Sequence, residues 1–207
     1  MRYYTLLSYI LTLLHKGKYM SKFEPAVEIL LRHEGGYVNN VHDAGGATNY
    51  GVSLRFLNDQ GLLGDFNNDG AVNIEDIKNM SIDDAKKVYK TCWWDKYKYG
   101  TIVDQTIATK VFDLSVNMGG SRAHKLLQSA LNKAFALRLT VDGILGPATI
   151  SVINAVSDDK EQILLTAYCD EAWAFYQGLI AAKPSQQVFA RGWKNRAYSL
   201  SKANAVK

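Results

Sequence analysis

Two carboxyl side chains and a hydroxyl lie close together in the stretches Glu34-Gly35-Gly36-Tyr37 and Asp43-Ala44-Gly45-Gly46-Ala47-Thr48-Asn49-Tyr50-Gly51. Asp43 follows Glu34 by nine positions and Thr48 follows Asp43 by five. Hydrolysis of a glycosidic bond needs this inventory. One carboxylic acid protonates the leaving oxygen, and one carboxylate activates water or stabilises the oxocarbenium-like transition state. A glutamate in a water-poor cleft keeps its proton near neutrality, whereas an aspartate on a polar glycine loop stays ionised. Glu34, beside His33 and Tyr37, suits the first role and Asp43 the second; Thr48 would orient the water. The separation of the two carboxyls decides between inversion and retention, and the sequence leaves that open.

These groups need a scaffold, and its pattern is helical. Phe23, Ala26, Val27, Leu30 and Leu31 recur at helical spacing, which puts Glu34 at a helix C-terminus facing the turn its glycines allow. Ser81 and Asp84 form a capping box that opens a helix from Ala85 to about Tyr97. Trp93 and Trp94 point about 100° apart on such a helix, so one enters the core and the other is partly exposed. A further helix runs from about Gln105 to Val116 and ends on Asn117-Met118-Gly119-Gly120, a glycine C-cap. Its Asp113 and Asn117, four apart on one face, either line a saccharide groove or bond each other and the next helix. Arg122 to about Ala136 carries a plain core stripe. Val141-Asp142-Gly143-Ile144-Leu145-Gly146-Pro147-Ala148-Thr149 then reads as a turn with Pro147 in the first turn of a helix.

A second constellation spans Asp65 to Asp76. Oxygen-bearing side chains fall at loop positions 1, 3, 5, 9 and 12, with Gly70 at position 6, where an EF-hand turns sharply. Asp65, Asn67, Asp69 and Asp76 would give side-chain oxygens to Ca2+, Ala71 its carbonyl, and Asn73 a direct or water-mediated contact. Asp76 replaces the usual Glu and reaches less far. An Asx-rich turn that binds nothing is the plain alternative. The expected ion is structural; no cofactor is expected for catalysis.

The glutamate–aspartate–threonine spacing resembles that of phage-type lysozymes, with Thr48 one residue nearer. His33-Glu34-Gly35-Gly36-Tyr37-Val38-Asn39, with Asp43, Gly45, Gly46, Thr48, Asn49, Tyr50 and Gly51, more closely resembles the family-108 glycoside hydrolases. These are N-acetylmuramidases found as phage endolysins and in bacterial proteins, some labelled secretion activators. Val41 and Ala44 stand where that family often has proline. The resemblance implies a lysozyme-like, mainly α fold with a short glycine-rich hairpin or loop at the active site. It further implies cleavage of the β-1,4 bond between N-acetylmuramic acid and N-acetylglucosamine, with Tyr37, Asn39, Asn49, Tyr50, Asp113 and Asn117 as sugar-contact candidates. It also implies that calcium-type segments brace the fold. Val141–Thr149 resembles the turn and helix start of peptidoglycan-binding modules, and in the family a segment of this type together with Phe189–Arg196 forms the C-terminal half.

At 207 residues and 47% hydrophobic, the chain has ample core for one large domain or two small ones. The division expected is an apolar extension at 1–19, a catalytic half at 20–104 and a helical half at 105–207 packed on it. The extension reads as a mis-assigned start before Met20 or an export segment; its apolar run is too short to span a bilayer. A net charge of +4 favours an anionic wall polymer. Without a Lys/Arg cluster, nucleic acid is not expected as a partner. Peptidoglycan strands are the expected partner, the chain a monomer, and its place of action the cell wall or periplasm. Cys92 and Cys169 read as buried free thiols. Three readings compete: a lytic transglycosylase using Glu34 alone, a non-catalytic wall-binding or secretion-associated protein, and a calcium-responsive adaptor, against which a single loop without an EF-hand partner speaks.

Overall fold

The computed structural model describes residues 20–33, 36–37, 46–156 and 158–200. Among them the chain is mainly helical. The order is α1 (Phe23–His33), β1 (Thr48–Asn49), β2 (Val52–Ser53), α2 (Leu54–Asp59), α3 (Ile74–Asn79), α4 (Ile82–Tyr89), a π-helical turn (Lys90–Asp95), α5 (Gln105–Met118), α6 (Gly120–Phe135), α7 (Pro147–Ala155), α8 (Glu161–Ala182) and α9 (Ala190–Tyr198), with short 3-10 turns between. Residues 1–19, expected as a separate apolar extension, lie outside the described residues. No described helix is long and apolar enough to cross a membrane.

Helix α5 is the axis of the fold. Asp104 caps its start, accepting from the Ile107 amide at 2.6 Å, and Gly119 ends it with a φ of 86° that a side chain would strain. From Ile107 to Ser115 every side chain is buried, since α1, α6 and α8 pack around it. The start of α1 is tied to the start of α5: Lys22 N donates to Gln105 Oε1 at 2.7 Å, and Gln105 Nε2 returns to Lys22 O at 3.0 Å. Behind α5, the long helix α8 packs on α6 and receives α9. Tyr168 Oη ties α8 to the Ala123 carbonyl at 3.0 Å.

The expected capping box at Ser81 and Asp84 is present. The helix it opens departs from the expected continuous run to Tyr97. After Tyr89 the chain widens into the π turn, and Lys98 then adopts a left-handed φ of 56°. Trp94 is buried against Phe23, Phe112 and Tyr99, while Trp93 is half-buried and stacks on Phe56 with ring centres 4.6 Å apart. The two tryptophans thus divide as their angular offset requires. Both cysteines are free and buried.

Candidate active site

The chain meets itself at a hairpin. Thr48 pairs with Ser53 and Asn49 with Val52, leaving Tyr50 and Gly51 as the two-residue loop. Both loop residues have positive φ, 48° and 76°, the combination a type I′ turn requires. Glycine takes it freely; tyrosine takes it because the turn is clamped from behind, Tyr89 Oη donating to the Tyr50 carbonyl at 2.7 Å. Ser53 then caps α2 through the Phe56 amide. The glycine-rich stretch upstream of the hairpin lies mostly outside the described residues.

Glu34 and Asp43, the expected acid and carboxylate, lie outside the described residues, as does Asn39. What the structure gives is the framework on either side of them. His33 is the last residue of α1, and Thr48 opens β1. His33 and Tyr37, expected near Glu34, are both exposed, Tyr37 at 43%. Thr48 is half-buried, on the strand that enters the hairpin.

Asn49 has a different task from the expected sugar contact. Only 6% exposed, it turns inward, and its Nδ2 donates to the carbonyls of Ile77 at 3.0 Å and Met80 at 3.4 Å. That amide fastens the hairpin to the end of α3. Tyr50 remains half-buried beside the core.

Helix α3 is in turn fixed by the loop before it. Asn73 caps it and Asp76 closes the capping box. Asp76 is 1% exposed; its Oδ1 accepts from the amides of Phe66 and Asn67, and its Oδ2 from Asn73 N at 2.8 Å. Asp65 accepts from Asp69 N and Gly70 N, Asn67 Oδ1 from Asp69 N, and Asp69 Oδ1 from Ala71 N. A hydrogen bond from Asn67, helped by the Ala71 amide, lowers the Asp69 pKa, so this carboxyl is held ionised. Gly70 makes the sharp turn at φ 88°. The donors are hard oxygens in the order an EF-hand uses, which fits Ca2+ in kind. Asp76 is the departure: bound by three amides, it is a brace for α3 before it is anything else. Among the described residues no three His, Cys, Asp or Glu groups converge as a metal cluster.

Asp113 and Asn117 do not bond each other. Asn117 is exposed at the end of α5, and its Oδ1 accepts from Tyr176 Oη of α8 at 2.6 Å. Asp113 is 1% exposed, with Oδ1 3.9 Å from Arg196 Nε, so its carboxylate faces the packing of α9 rather than a groove.

Two polar groups that sequence reasoning passed over organise the second half. Lys110 is wholly buried on α5, and its Nζ donates to the carbonyls of Arg196 and Ser199 and to Ser199 Oγ. A cation at the carbonyl end of α9 complements the helix dipole, while burial pulls the lysine pKa down. His124 on α6 is held between Tyr99 Oη at 2.8 Å and the Gly143 carbonyl at 3.0 Å, and burial lowers its pKa. It thereby joins the turn after the π segment to the turn at 142–146. Each of these contacts spans tens of residues, so no local pattern marks it.

Residues 27–119 match the family model described as Glycosyl hydrolase 108, and residues 122–198 match the one described as Predicted Peptidoglycan domain. The two matches meet between α5 and α6. Among solved structures, that of Brucella abortus SagA is similar over 88% of this chain and 93% of its own, at 22% identity and a TM-score of 0.65. At that identity the likeness establishes a shared fold. No curated protein matches the chain.

Proposed function

We propose that this chain, whose residues 27–119 match the glycosyl hydrolase 108 model and whose residues 122–198 match a peptidoglycan-type domain, is a peptidoglycan hydrolase that cleaves the β-1,4 bond between N-acetylmuramic acid and N-acetylglucosamine. One observation carries the reading. The segment bearing both Glu34 and Asp43 falls inside the family match, and it joins α1 to a hairpin that Asn49 and Tyr89 hold in place. The described elements on both sides of that segment are tied to the core, and acid catalysis depends on positioning.

In this mechanism Glu34 carries the proton to the leaving oxygen. A saccharide seated over it displaces water and keeps that proton in place until it is needed. Asp43 stays ionised and either activates water or stabilises the oxocarbenium-like transition state. Thr48 orients the water, and Tyr37, Asn39 and Tyr50 are the candidates for contact with the glycan. The exposed side of Asn117 is a further candidate. Ca2+ in the 65–76 loop is part of the same proposal: Asp65, Asn67, Asp69, Ala71 and Asn73 would hold it, with Asp76 offering what its amide partners leave free. The ion would stiffen α3, and through Asn49 the hairpin, without entering the reaction. The place of action is the cell wall.

Clearing of a turbid suspension of purified wall tests the assignment. Glu34→Gln keeps the size of the side chain and removes its titrating proton, so clearing should fall by at least about a hundredfold, the lower range for a general acid. Asp43→Asn should also fall, most steeply if Asp43 is the base. Retention of most activity by Glu34→Gln ends the assignment.

A further inference from the structure

Where the two family matches meet, far from the hairpin in sequence, Lys96, Tyr97 and Lys98 face the turn at 143–147 across an open groove of about 660 Å3. Its floor is apolar, formed by Tyr97, Ile144, Pro147 and Ile150. Ile144 is 67% exposed there. Gly100, next to the lining residue Thr101, approaches the residues before α1, its Cβ position 3.5 Å from the Ser21 carbonyl. The other end of that helix, at His33, is about 16 Å along its axis at 1.5 Å per residue.

The walls are built to hold their shape. Gln128, buried on α6, donates from Nε2 to Asp142 Oδ1 and the Ile144 carbonyl, and its Oε1 accepts from Gly143 N at 2.9 Å. His124 holds the Gly143 carbonyl from the same helix. Gly143 has a φ of 81°, and a Cβ there would meet the Ser121 carbonyl at 2.7 Å. Two buried polar side chains are thus committed to one turn. On the facing wall, Lys96 and Lys98 are exposed, and no carboxylate among the described residues pairs with either. The Lys96 ammonium lies 5.5 Å over the Tyr97 ring. The one acid on the opposite turn, Asp142, has Oδ1 engaged by Gln128 and the Ile144 amide.

A preformed apolar floor rimmed by two unpaired ammonium groups suits a small ligand with apolar side chains and free carboxylates. We infer that this groove binds the acidic stem peptide of peptidoglycan, as a second wall contact separate from the proposed catalytic segment. The inference rests on the wall-directed reading given above. Charge complementarity selects the occupant. Peptide-substituted sugars carry no charge and would leave both lysines unused, and a phosphate polymer would leave the alkyl floor unused. A peptide of alanyl methyls and free carboxylates uses both.

The test is sedimentation of the full chain on ice with two preparations: intact purified wall, and glycan stripped of its peptides by an amidase with the lactyl carboxylates so freed capped as methylamides. The Lys96→Gln/Lys98→Asn double variant removes both charges, and asparagine suits the positive φ at 98. Ile144→Ser alters the exposed floor alone. Affinity for intact wall should fall roughly three- to tenfold in the double variant, the scale of two exposed ion pairs. It should fall in the same direction in Ile144→Ser. The charge effect should shrink in high salt, and binding to stripped glycan should not change in either variant. Unchanged affinity for intact wall, or equal losses on stripped glycan, overturns the inference. If the wild type clears wall while the double variant binds it undiminished, only the groove assignment fails. If the wild type neither clears nor binds wall, the functional reading fails and takes the groove with it.

Discussion

Asn49→Ala probes the joint on which the proposed catalytic geometry depends. The wild-type amide supplies two buried carbonyls, Ile77 O at 3.0 Å and Met80 O at 3.4 Å. Truncation leaves both without that donor. An unsatisfied buried partner costs about 1–3 kcal/mol. The longer second bond and the small void left by the missing amide bring the expected loss to roughly 2–3 kcal/mol. For a chain of this size, that lowers Tm by about 4–10 °C. Asn49→Asp should be at least as harmful, because it sets a carboxylate against two carbonyl oxygens with no proton to share. Thermal and urea unfolding read the stability. Wall clearing at a temperature where both proteins are folded reads the effect on chemistry, and it should drop because β1 carries Thr48. Unfolding of Asn49→Ala within about 0.5 kcal/mol of wild type, the range of an ordinary surface change, would refute the anchor.

Burial depresses the His124 pKa below its ordinary 6.5, so the unfolded chain takes up the proton first as pH falls. Stability should therefore be lost on acidification from about 6.5 down to the lowered value, by up to about 1.4 kcal/mol per pH unit. His124→Gln should show a shallower fall in Tm between about pH 7 and pH 5; parallel curves would show that this histidine is not the group responsible. Calcium at a hundred times its Kd should stabilise the fold by about 2.7 kcal/mol, or roughly 5–10 °C in Tm, and Asp65→Asn with Asp69→Asn should abolish the shift. A wild-type Tm that ignores calcium up to about 10 mM, beyond the range of EF-hand affinities, would leave 65–76 as a turn that braces α3 by hydrogen bonds alone.

The features legible in the sequence were those whose cause is local. Ser81 with Asp84, the glycine at 119 and Pro147 each act within a turn of where they stand, and each begins or ends a helix as its chemistry demands. The tryptophan pair divided between core and surface for an equally local reason. The π turn was not legible, because the apolar spacing before it reads as an unbroken helix. On α5 the polar residues Lys110 and Asp113 suggest a solvent-facing side, yet both are buried, their partners on α9 more than eighty residues away. Asn49 looked like a groove residue because it stands among candidate site residues. Its partners, 28 and 31 positions on, make it a structural tie. Pairings of that kind arise only once the helices are packed.

Mass spectrometry of wall digested by the wild-type chain addresses the central claim most directly. Cleavage by the proposed mechanism leaves fragments with reducing N-acetylmuramic acid ends. Anhydro-muramic ends would reassign the chain as a transglycosylase, reducing N-acetylglucosamine ends would move the cut to the other linkage, and an unaltered wall would contradict the enzyme reading itself.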